Sequence, residues 1–182
     1  MRVSGWAVFA IVLGVLLVLA ACAAAGWFGW QYLERRILLR LLVRAEAVEA
    51  AVQALEDTVG RLDSAGKAEL SAFADDPDSS ERRALHEVQS RAQLLQEELD
   101  QMPLPRSVVP LAESLADAAY LTALEAGCIT DRDTGKAAVK KLKSLDLESV
   151  RAYVAQAHAR VSTTCAALGL EDTAVYGGGL YL

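Results

Sequence analysis

The chain has 182 residues, 53% of them hydrophobic and 23% charged, with a formal net charge of −6. That length suits one domain of ordinary size plus an anchor. Residues 1–44 carry a net of +4 and residues 45–182 a net of −10. An acidic body excludes nucleic-acid binding as a leading function, because a phosphate-binding surface needs clustered Lys and Arg.

Residues 1–4 form a short n-region, and no charged residue follows from Gly5 to Leu33. Such a run is too long and too apolar for a surface helix of a soluble domain and predicts a transmembrane signal-anchor helix over 5–33. Trp6 stands near one end, while Trp27, Phe28, Trp30 and Tyr32 crowd the other. At the rise of a helix, Trp6 and Trp27 are about 31 Å apart, close to the hydrocarbon thickness of a bilayer. Amphipathic rings favour the two interfaces. Arg35, Arg36, Arg40 and Arg44 then fall where lipid phosphates lie, so the lipid bilayer is the first expected partner.

Within this segment "LAAC", Leu19 to Cys22, resembles the lipobox of bacterial lipoproteins: a small residue precedes a cysteine after an apolar stretch. The resemblance implies lipidation at Cys22 as the first residue of a mature lipoprotein. Against it, the chain stays apolar for about eleven residues after Cys22, where a lipoprotein continues with a polar tether. An uncleaved single-pass anchor is therefore the leading expectation and a lipoprotein the alternative.

Beyond the span, apolar residues recur in a 3-4 rhythm at Leu38, Leu41, Ala45, Val48, Val52, Leu55, Val59 and Leu62. This is a coiled-coil-like stripe. With no Pro or Gly between Trp30 and Gly60, one rod should leave the membrane and enter the body. A short apolar piece, Leu70 and Phe73, precedes the loop "DDPDSS". Ser79 or Ser80 is expected to cap the next helix, with its stripe at Leu85, Val88, Ala92, Leu95, Leu99 and Met102. "MPLPRSVVP" ends it, and Ser107 is expected to cap a third helix over about 108–127, rich in alanine and closed by Gly127. A short basic helix near 135–143, with Lys136, Lys140, Lys141 and Lys143, reads as a solvated face. Asp146 opens a last long helix through Leu168, ended by Gly169. The expected fold is all-α: an N-terminal transmembrane helix continuing into an antiparallel bundle of about four helices over 34–170. A Gly-rich apolar tail, 171–182, follows.

Few residues suggest chemistry. Cys128 and Cys165 are expected to meet as a disulfide, on the reasoning that the last helix returns Cys165 to the level of Cys128, with two small buried thiols as the alternative. Disulfides persist in oxidising compartments, so this pair places the body outside the cytoplasm. The arginines after the span favour a cytoplasmic body by the positive-inside rule, so an extracytoplasmic body is the leading expectation and a cytoplasmic one the alternative. Asp131 to Gly135, "DRDTG", has the D-x-D spacing of a calcium loop. Its glycine comes one position early and Leu142 stands where Glu is needed, so it reads as a turn capped by Asp133 or Thr134. His86 and His158 lack the Glu-x-x-His spacing of bundle metal sites. No metal, cofactor or catalytic constellation is expected, and the chain reads as a structural or protein-interaction protein. A sensor or ligand-binding bundle with a separate signalling partner is the alternative. The tail is expected to fold back onto the bundle; the alternative is that Tyr176, Leu180, Tyr181 and Leu182 dock into another protein. A second copy paired along the seam from Leu38 is the other expected partner.

Overall fold

A computed structural model describes residues 5–130 and 132–170, the side chains of 5–12 excepted. The described residues form six helices and no strand: α1 (Gly5–Ser64), α2 (Lys67–Asp75), α3 (Ser80–Asp100), α4 (Val109–Ala126), α5 (Lys136–Lys143) and α6 (Leu147–Ala167).

The 60 residues of α1 make a rod of about 90 Å. Its two halves have opposite surroundings. From Leu13 to Leu33 the side chains are uncovered, and this part is long and apolar enough to cross a membrane. From Leu38 onward all eight stripe residues are buried, and Leu42, Ala51 and Thr58 widen the stripe into a face. That width is what a helix needs to meet several neighbours at once rather than one partner along a narrow seam.

Those neighbours are α3, α4 and α6, stacked in three layers. Nearest the apolar half, Leu38, Leu41, Leu42 and Ala45 pack with Leu99, Val108, Leu111, Leu115, Ala157, Val161 and Cys165. Val48 meets Ala118 and Ala119 in the middle, with Leu95 and Val154 beside them. At the far end Leu55, Val59 and Leu62 join Phe73, Leu85, Val88, Ala126, Ala138 and Leu142. The residue order through these layers fixes direction: α1 and α4 run away from the apolar half, and α3 and α6 return. The alanines of α4 (112, 118, 119, 123 and 126) are buried, which lets α3 and α6 approach it closely on two sides.

Three expected details differ. Ser107 does not cap α4; its hydroxyl donates to the buried Glu34 carboxylate at 2.7 Å, a tertiary acceptor that outcompetes the local one. Val108 stands at the cap position, with Pro110 in the first turn, where its missing N–H costs nothing. Ser79 occupies the cap of α3, but its buried hydroxyl makes no capping bond. At α5 the cap is Gly135, and Asp133 instead accepts from the amide and hydroxyl of Thr130 at 2.8 and 2.7 Å. Asp146 does cap α6, accepting from the Ser149 amide at 2.9 Å.

Candidate interaction surfaces

Most of the exposed large apolar side chains among the described residues lie on α1 between Leu13 and Leu33. Trp27, Phe28, Trp30 and Tyr32 are each more than half exposed, and Trp6 lies within α1. Cys22 is exposed on an unbroken helix, with no local feature separating it from the residues that follow. The four arginines do not share one environment. Arg36 and Arg40 are exposed. Arg35 donates to the Leu168 carbonyl at 3.5 Å, where α6 ends, and Arg44 is drawn 2.7 Å from the Glu98 carboxylate on α3. Arg44 thus belongs to the bundle more than to a lipid surface.

The expected cysteine pair is corrected. Both thiols are free. Cys165 is 0% exposed in the layer beside Leu41 and Leu111, whereas Cys128 follows Ala126 at the far end. Leu111 to Ala126 along α4 amounts to about 22 Å, against the 7 Å that bounds the Cα separation of a disulfide. The expectation failed because α6 starts at the far end and runs back, carrying Cys165 away from Cys128. Burial raises both thiol pKa values; for Cys128 the Glu125 carboxylate adds to that.

Other sequence candidates lie apart. His86 is exposed, and His158 sits 3.4 Å from Glu49 across the α1–α6 seam, near the 2.6 Å Arg151–Glu56 pair. Among the described residues no cluster of His, Cys, Asp and Glu could hold a metal. The calcium-like loop is only partly described, since Asp131 lies outside the described residues; its Asp133 pairs with the Lys141 amine at 2.7 Å. That amine and Thr130 hold the Asp133 carboxyl well below the usual carboxylate range. Tyr176, Leu180, Tyr181 and Leu182 also lie outside the described residues.

Sequence reasoning missed the far end of the bundle. There Arg82, 6% exposed, has no carboxylate partner among the described residues and instead donates to four carbonyls. Its Nε reaches Phe73 O at 2.7 Å, its Nη atoms reach Ala74 O and Thr130 O at 3.1 Å each, and a further short bond goes to Asp133 O. The guanidinium also lies over the Phe73 ring, 5.3 Å from its centroid. The carbonyls at the end of α2 lack helical partners and carry the negative pole of the helix dipole, so a cation satisfies them twice over. Gly135 adds its amide to Ala74 O at 2.9 Å, in a backbone conformation (φ +56°) that L-residues rarely adopt. Arg82 and Gly135 together clamp α2 to the start of α5. The signal in the sequence was "ERR", which does not say which arginine turns inward.

The clamp leaves an open groove of about 560 Å³ between α2 and α5. Its floor is apolar, from Leu70, Ala74 and Val139, and lysines stand along both rims. The run Lys136 to Lys143, read as a solvated face, is one wall of this groove. Comparison with known proteins finds no match: no family model, no curated protein and no solved structure aligns with the chain.

Proposed function

We propose that the chain is a membrane-anchored helical-bundle protein without catalytic activity, working by protein contact or as a spacer. Residues 5–33 span the bilayer as an uncleaved anchor, with Trp6, Trp27, Phe28, Trp30 and Tyr32 at its interfaces. Residues 34–170 form an antiparallel four-helix bundle of α1, α3, α4 and α6, with α2 and α5 appended at the far end. The observation that carries this reading is α1 itself. One unbroken helix presents uncovered apolar side chains from Leu13 to Leu33 and a buried core face from Leu38 onward. Bare apolar surface of that length has a place in lipid and none in water. Because the stripe from Leu38 is already buried within the chain, a second copy is a weaker partner choice than another protein.

The separation of the thiols removes the argument for an exported body. Arg36 and Arg40, exposed just beyond the span, support a cytoplasmic one. Alkaline carbonate extraction tests the anchor: the full chain should stay with the membranes, and a variant lacking residues 5–33 should be released. Release of the full chain would overturn the reading. For sidedness, a Ser162→Cys probe in a Cys128→Ala background should react with an impermeant maleimide only after lysis; labelling in intact cells would place the body outside. An intact mass matching residues 22–182 plus acyl chains would replace the anchor with the lipoprotein reading.

A further inference from the structure

The chain has five lysines, and all lie on the two short helices of the far end: Lys67 on α2, and Lys136, Lys140, Lys141 and Lys143 on α5. Lys141 is used internally, donating to Asp133 and to the Cys128 carbonyl. The other four line the groove and are exposed; among the described residues none has a carboxylate within 4.0 Å. The groove's one acidic lining residue, Asp75, accepts from the Ser71 hydroxyl. Residues 45–182, with a net charge of −10, thus gather four unpaired amines around one apolar floor. Like charges so placed repel one another, and an anionic occupant relieves that repulsion.

We propose that this groove binds an acidic amphipathic helix of a partner protein, its apolar side chains on Leu70, Ala74 and Val139 and its carboxylates against the lysines. The dimensions suit such an occupant. The groove follows helices of nine and eight residues, so it is about 12–13 Å long, two turns of a docked helix. It is lined by amines on both rims, as an acidic helix flanking an apolar stripe requires. It also stands about 44 Å along α1 from Arg35, beyond reach of the lipid surface that the arginines face. This extends the protein-contact reading above, and the two fail separately, since carbonate extraction does not depend on the groove.

The test uses the full chain in zwitterionic nanodiscs and a labelled designed peptide with Leu at i, i+3, i+4 and i+7 and Glu elsewhere, read by fluorescence anisotropy. Binding should weaken with salt, and K136Q/K140Q/K143Q should weaken it at least about tenfold while the melting temperature does not fall. Val139→Glu, which puts a carboxylate in the half-buried floor, should do the same with all lysines in place. Equal binding by a scrambled peptide of the same composition, or by the triple variant, would reduce the lysines to a solvated face. No binding below about 1 mM would overturn the proposal, and saturable binding of laurate instead would reassign the groove to a small anionic amphiphile.

Discussion

Replacing Arg82 by methionine removes the guanidinium, with its hydrogen bonds and its contact over Phe73, while largely keeping the aliphatic stem. Four carbonyls lose a donor, but they do not count equally. Thr130 O and Asp133 O are partly buried and water can replace the guanidinium there. Ala74 O keeps the Gly135 amide, whereas the bond to Phe73 O is buried and no other donor among the described residues replaces it. A buried acceptor left unpaired costs about 1–3 kcal/mol, and the bonds that water or the Gly135 amide replace cost less. Against this, methionine removes the desolvation penalty of burying a guanidinium. The net expectation for Arg82→Met is a loss of about 2–4 kcal/mol. Arg82→Lys should lose about half of that, since one ammonium cannot reach carbonyls on both sides of the clamp. Arg83→Met, on the exposed neighbour, should stay within about 0.5 kcal/mol of the wild type. Urea unfolding followed by far-ultraviolet circular dichroism in detergent measures all three. If Arg82→Met falls within about 1 kcal/mol of the wild type, the carbonyls are rehydrated and the clamp is not what holds α2 to α5.

Gly135→Ala should cost about 1–3 kcal/mol by backbone strain alone, since a Cβ there meets nothing closer than Asp75 Oδ1 at 3.7 Å; unchanged stability would refute the strained conformation. Asp133→Asn should destabilise the protein at neutral pH, with the gap to wild type closing as pH falls below about 4. The folded carboxylate, held low by Lys141 and Thr130, contributes stability above the unfolded value and loses it on protonation. A gap independent of pH would sink that assignment. Intact mass should not change on reduction, and Cys165 should react with maleimide only on unfolding; rapid native labelling of Cys165 would contradict its burial.

The long helices were legible because their apolar period was unbroken and their boundaries carried Pro and Gly, so α1 from Leu38 could be placed residue by residue on its buried face. What the sequence hid were choices between equivalent residues. Ser107 looks like a cap until Glu34, 73 positions away, offers its hydroxyl a better acceptor. Arg82 and Arg83 are indistinguishable until the end of α2 comes to rest against one of them. The cysteine pairing failed on a single direction, that of α6, which no local signal fixes. The groove was invisible for a related reason: lysines spaced along a helix describe a wet surface equally well, until Lys67 from another helix is found on the opposite rim.

On the proposed anchoring, the uninterrupted course of α1 would make the protein a lever as well. About 44 Å of its rod lies between Arg35 and the far end. Membrane helices tilt by about 20° on average, and at that angle the far end moves sideways by about 15 Å relative to an upright rod. Bilayer thickness, by changing the tilt, would then set both the height of the α2–α5 groove above the lipid and the arc it sweeps. Where the groove meets its partner would be decided in the membrane, some 40 Å from the contact itself.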